Sequence, residues 1–212
     1  MTQAQVPTPT WGEGITPGRF AGQTVRVTGA GSGIGLATAS RIAREGGKVI
    51  ATDIDSERLD KFAAAHADFD VVTVTADVST QEGVDAIMAA AGDRIDALAN
   101  NAGIMDDFGP VHELTDEMWQ RVMSVNVDSV MRLSRAVFPL MMAAGYGAVV
   151  NVVSEAALRG SAAGVAYTAS KHAVVGITQS CSVMYRQSGI RVNAVAPGGT
   201  ITNIVAVPGS EM

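Results

Sequence analysis

The chain has 212 residues, enough for one well-packed domain rather than two. Hydrophobic residues make up 47% and charged residues 17%, which excludes a disordered chain, and the 23 glycines follow no triplet period, which excludes a collagen-like one. A formal net charge of −6 argues against a nucleic-acid partner, whose phosphates call for Lys and Arg.

The single cysteine, Cys181, rules out a disulfide within the chain and reads as a small buried apolar residue. No apolar run approaches the roughly 18 residues of a membrane span, and the first twenty residues have no secretory pattern. These features predict a cytoplasmic protein with no membrane partner.

Residues 1–22 read as an irregular arm broken by Pro7, Pro9 and Pro17, followed by a single domain over 23–212. Short β-branched runs then predict strands at Thr24–Thr28, Lys48–Asp53, Val71–Ala76, Ile95–Asn100, Ala148–Val153 and Ile190–Val195. Most are apolar on both faces, as parallel strands between two helical layers are. The first helix spans Ile34–Glu45 and stops at Gly46-Gly47. Ser56 is placed to cap the second, over Glu57–Ala67, and Ser79 or Thr80 the third. Thr115, Asp116 and Glu117 open a helix running to about Met142, adjusted at Pro139, and Ala163–Ser188 reads as another. The β-α-β order gives a doubly wound α/β fold with a parallel sheet and three α/β/α layers.

Arg26 sits in the middle of the first strand, where an unpaired guanidinium would be costly; it needs a partner on a sheet face. His66, His112 and His172 show no metal-ligand spacing, so no metal is expected. Met131, Met141 and Met142 read as core or pocket filling, and Asp106-Asp107 as a solvated loop.

The loop Thr28-Gly29-Ala30-Gly31-Ser32-Gly33-Ile34-Gly35 joins the first strand to the first helix. Glycine lets a pyrophosphate approach the main chain, and the helix N-terminus offers free N–H groups and partial positive charge. Asp53 ends the second strand about twenty residues further on, placed to accept hydrogen bonds from ribose hydroxyls and to repel a 2′-phosphate. NAD is therefore expected rather than NADP.

At this point the sequence resembles the short-chain dehydrogenase/reductase family of Rossmann-fold oxidoreductases. Its Thr-Gly-x-x-x-Gly-x-Gly pattern is matched by Thr28, Gly29, Gly33 and Gly35. Asp77-Val78 resembles the adenine-side contact, and Asn100-Asn101-Ala102-Gly103 the family's Asn-Asn-Ala-Gly motif. Asn126 lies in a Val-Asn-Val context, Ser154 follows the fifth strand, and Tyr167 and Lys171 form the Tyr-x-x-x-Lys pair. Pro197-Gly198 and Thr202 resemble the segment after the sixth strand.

The resemblance implies hydride transfer between nicotinamide and a secondary alcohol or ketone. Tyr167 would be the general acid/base, with its phenol pKa lowered from about 10 by the Lys171 ammonium one helical turn away. Ser154 would orient the substrate oxygen, and Asn126 would support a water linking the lysine to solvent. The family's helices over Asp116–Ala143 and Ala163–Ser188 imply a homo-oligomer, a dimer or tetramer. Family members continue past Thr202 with a substrate loop, further helices and a seventh strand, so a truncated domain is expected. That leaves a second reading, a non-catalytic cofactor-binding or assembly protein. An epimerase or dehydratase fits the glycine spacing less well.

Overall fold

The computed structural model describes residues 14–92, 94–200 and 202–204. Residues 1–13 and 205–212, and with them most of the predicted arm and the chain beyond Ile204, lie outside the described residues. Six parallel strands are found among the described residues: β1 (Thr24–Thr28), β2 (Lys48–Asp53), β3 (Val71–Thr75), β4 (Ala97–Asn100), β5 (Gly147–Val152) and β6 (Ile190–Val195). They lie in the order β3-β2-β1-β4-β5-β6. The order reverses between β1 and β4, which is where an open α/β sheet leaves a ligand crevice beyond its strand ends. The doubly wound Rossmann-type fold is as expected, and the strand bounds differ from the sequence reading by two residues at most.

The helices are α1 (Gly33–Arg44), α2 (Ser56–Ala65), α3 (Gln81–Ala91), α4 (Asp116–Met123), α5 (Ser129–Ala144) and α6 (Val165–Met184). α1 and α2 cover one face of the sheet, where Ala39, Ile42, Leu59 and Phe62 pack on Val25, Val27, Val49 and Ala51. α3 and α5 cover the other, where Val84, Ile87, Leu133, Val137, Phe138 and Met141 pack on Leu98, Val149, Ile190 and Val192, joined by Cys181 of α6, half-buried rather than buried, and by Tyr185 at the end of that helix. Each fully buried valine or leucine contributes about 1.5–3 kcal/mol. No helix among the described residues is long and apolar enough to cross a membrane.

Several local readings need correction. Asp55, not Ser56, caps α2, its carboxylate accepting the Arg58 N–H; Ser56 is already inside the helix. Thr80 and Thr115 cap α3 and α4 as the sequence suggests. The long helix from Asp116 is not interrupted at Pro139, which sits inside α5. The adjustment lies upstream, where Ser124–Asp128 forms a π turn with the Ser129 N–H on Ser124 O. The hydroxyl of Ser129 donates to Val125 O at 2.5 Å within that widened turn. α6 ends at Met184, and Arg186–Ser188 form a separate 3₁₀ turn. Met141 is buried, but Met131 and Met142 are 38% and 43% exposed and do not fill the core.

The described end of the arm, residues 14–22, folds back over the end of α1. The buried Glu45 carboxylate holds it, accepting the Thr16 N–H at 2.9 Å and pairing with Arg19 at 3.2 Å and Arg41 at 2.5 Å.

Arg26 is fully buried in β1, and strand alternation turns it away from Val25 and Val27 onto the α3 face. Its Nη2 donates to the Met88 carbonyl at 3.0 Å and Nη1 contacts Met88 Sδ at 3.3 Å, while Nε has no partner. No carboxylate among the described residues repays the lost hydration, and burial pulls the guanidinium down to about 10. Arg26→Leu is therefore expected to stabilise the chain by about 1–3 kcal/mol, read as a melting temperature several degrees higher in scanning calorimetry. An unchanged or lower value would mean that the Met88 contacts offset the desolvation.

Candidate functional site

The loop after β1 is shaped by steric limits at its glycines. Gly29 and Gly33 have φ of 65° and 52°, a region that other residues rarely adopt. A Cβ on Gly35 would lie 2.0 Å from Gly29 O, so α1 can start this close to the strand only with glycine there. Ser32 caps α1 without any side-chain hydrogen bond, leaving the first N–H groups of the helix free for an anion. Thr202 closes over this cradle, since a Cβ on Gly33 would meet its Cγ2 at 2.7 Å. Uncapped donors beneath a glycine loop fit a dinucleotide pyrophosphate.

Thr28 fixes the cradle to the neighbouring strand. Its Oγ1 accepts the N–H groups of Asn101 and Ala102, both at 3.0 Å, and Asn101 Nδ2 donates to Thr28 O at 3.0 Å. Asp53 is held at the end of β2, where Oδ2 accepts the Gly31 N–H at 2.9 Å and Oδ1 the Asp55 N–H at 3.1 Å. Asp77 Oδ1 accepts the Ser79 N–H at 2.8 Å, shaping the turn after β3.

One cleft of about 1360 Å³ runs from Asp53 to Ser154. Gly29, Ser32, Gly33, Ile34, Asp53, Asp77, Val78, Asn101, Ala102 and Gly103 line it, as do Ser154, Tyr167, Lys171, Pro197, Gly198 and Thr202. The structure thus gathers most of the residues singled out in the sequence. Thr28, Gly31, Gly35 and Asn126 do not line the cleft but stand behind its walls.

At one end of the cleft, α6 presents Tyr167 and Lys171 one turn apart. Ser154, capping a 3₁₀ turn (Glu155–Ala157) after β5 by accepting the Ala156 N–H at 3.1 Å, lines the same cleft as Tyr167. Lys171 Nζ donates to Val152 O at 3.0 Å and lies 5.4 Å from the Tyr167 ring centre. Asn126, within the π turn, accepts the Ile104 N–H at 2.9 Å through Oδ1, while Nδ2 donates to Ile104 O and to Ser170 Oγ, both at 3.0 Å. Its amide therefore ties the loop after β4 to α6 and is spent on protein partners.

The electrostatics differ from the simple expectation. Burial pushes the Tyr167 phenol above its ordinary value, the Ser154 hydrogen bond pulls it down, and the Asp106 charge pushes it up again. Lys171 does not reverse this, because burial has lowered its own ammonium to about 8.

Three residues escaped the sequence reading. Met105 and Phe108 line the cleft from the loop after β4. Asp106, read as solvated, is only 1% exposed and binds the backbone at the start of α6. Nothing in its spacing signals this; only its nearness to Asn101-Ala102-Gly103 hints at the site. Of the histidines, His66 stacks on Phe62 at 4.4 Å, and His172 is exposed with Nδ1 on Thr168 O at 2.9 Å.

Comparison with known proteins agrees with this geometry. The family model for short chain dehydrogenase matches residues 23–211. The short-chain dehydrogenase/reductase cdmF of Talaromyces verruculosus is 43% identical over 180 residues, covering 84% of this chain and 70% of that protein. The crystal structure of levodione reductase superposes with a TM-score of 0.84 at 39% identity, over 88% of this chain and 75% of that one. That of a 3-ketoacyl-(acyl-carrier-protein) reductase from Brucella melitensis, complexed with NADH, gives 0.83 at 31%, over 87% and 78%. With the cradle, the cleft and these relatives together, the chain belongs to the short-chain dehydrogenase/reductase family of nicotinamide-dependent oxidoreductases.

Proposed function

We propose that this chain moves a hydride between NAD(H) and a secondary alcohol or ketone, with Tyr167 as general acid/base. The observation that carries this reading is the buried Tyr167–Lys171 pair, one helical turn apart with Nζ 5.4 Å from the ring centre, lining the same cleft as Ser154 and Asp53. A nicotinamide held in the cleft would supply or take the hydride and, when oxidised, would bring a positive charge to it.

The raised Tyr167 phenol keeps its proton near neutral pH, which suits it to protonate a carbonyl oxygen as the carbon is reduced. Running the other way, the phenol must first lose that proton, with Lys171 Nζ 5.4 Å from its ring centre. Ser154 orients the substrate oxygen and stabilises charge building on it. Asn126 acts through the loop and helix that it joins, holding Gly103 and Lys171 in register; a Cβ on Gly103 would lie 3.3 Å from both Asn126 Oδ1 and Lys171 Nζ.

The carboxylate of Asp53 at the far end favours ribose hydroxyls over a 2′-phosphate, which supports NAD. Ile104, Met105 and Phe108 give the substrate end an apolar wall, so alicyclic ketones are the first compounds to screen.

Calorimetric titration is expected to show tighter binding of NAD than of NADP, with Asp53→Ala narrowing the gap by about tenfold or more. Equal affinities in the unaltered chain would remove the case for NAD. Tyr167→Phe is expected to lower kcat by roughly 10²–10⁴ on any ketone turned over, with NADH affinity unchanged; undiminished turnover would rule out the acid/base role.

Lys171 links the site to stability. Its folded-state pKa of about 8 lies below the ordinary 10.5, so between these values the unfolded chain holds more protons and the folded state gains stability as pH rises. The burial cost is fully present below about 8 and amounts to about 3 kcal/mol at most. Lys171→Met removes this titration. Relative to the unaltered chain its stability should fall steadily from pH 8 to 10.5 in denaturant unfolding, whereas parallel curves would show that the ammonium carries no such cost.

A further inference from the structure

Among the described residues, Asp106 is the one buried charge beside the cleft that the proposed chemistry does not use. Its Oδ1 accepts the Gly164 N–H at 3.1 Å and the Phe108 N–H at 3.4 Å, and its Oδ2 the Tyr167 N–H at 2.9 Å. No Lys, Arg or His among the described residues pairs with it. A buried carboxylate without a cation is costly, so these backbone donors and the start of α6 must hold it.

The fit has no slack. A Cβ on Gly164 would lie 2.5 Å from Asp106 Oδ2, so the helix can approach the carboxylate this closely only with glycine there. On its other side the carboxylate holds Phe108, which has φ of 61°, a left-handed conformation that a bulky residue rarely adopts. Asp106 itself does not line the cleft, while its neighbours Met105 and Phe108 do.

We propose that Asp106 is a positioning residue: it clamps the wall formed by Phe108 to the first turn of α6 and so sets where the Tyr167 phenol stands and what charge it faces. The proposal rests on the reading of Tyr167 as the acid/base. Several charged groups face this end of the cleft, Glu117 and Arg121 of α4 among them. Lys171 lies on the same helix as Tyr167, and Asp106 behind the N-terminus of that helix. Glu155 follows Ser154 and is paired with Arg159 at 2.5 Å. Asp107 is turned to its own loop, accepting the Gly109 N–H at 3.0 Å. Of these carboxylates, Asp106 is the one that bonds the Tyr167 backbone among the described residues, and its charge adds to burial in favouring the neutral phenol.

The test is a titration of the tyrosine ring carbons by NMR in the full chain, labelled at Cζ. The chain has three tyrosines, and Tyr167→Phe assigns the signal. Asp106→Asn is expected to lower the Tyr167 midpoint by about half a pH unit, with NADH affinity measured in parallel and unchanged. Gly164→Ala guards against misfolding of the first variant. Its backbone φ of −72° accepts any residue, and its added methyl must displace the carboxylate, so it should shift the midpoint the same way. A wild-type Tyr167 midpoint in either folded variant overturns the proposal. Turnover by Tyr167→Phe would instead overturn the acid/base reading and leave the titration result standing.

Discussion

The Thr28 hydroxyl accepts two successive N–H groups, from Asn101 and Ala102, where the chain leaves β4. β1 and β4 are the strands at which the sheet order reverses, so this hydroxyl spans the switch point itself. At the opposite end of the same two strands, Asp96 Oδ2 accepts the Thr24 N–H at 2.7 Å. The pair is pinned at both ends, and the spacing between the glycine cradle and the β4 loop becomes a fixed dimension. The cradle, the Asn101 amide on Thr28 O, and the Ile104 contact with Asn126 are all measured from it.

The site was legible wherever its chemistry is carried by residues close in sequence. The glycines needed their spacing because α1 starts against Gly29 O, and Tyr167 and Lys171 share a helix face because they are four apart. What was hidden depends on distant parts of the chain. Asp106 reads as a loop residue until α6, some sixty positions later, is packed on it. The choice of Asp55 over Ser56 as a cap is a one-residue register difference that either side chain could satisfy. Arg26 was visible as an anomaly, but its partner, a main-chain carbonyl of α3, carries no sequence signal.

Burial explains why the sequence reading mistook the balance of charges. Spacing alone suggests a lysine lowering a tyrosine pKa. Desolvation acts on both groups at once, raising the phenol and lowering the ammonium, so each holds its neutral form more firmly than in water. A pair in this state responds strongly to any further charge brought into the cleft, because little solvent is present to screen it.

The π turn at Ser124–Asp128 has a consequence for the rod that contains it. The turn carries one residue more than a regular helix would, and one residue of α-helix is about 100° of rotation. Deleting a single residue there would leave an unbroken helix from Asp116 onward, at the cost of the angular phase between its halves. Leu133, Val137 and Met141 could no longer face the sheet while Val122 stayed buried. The extra residue therefore works as a phase shifter, letting one continuous rod serve both the sheet and the cleft wall.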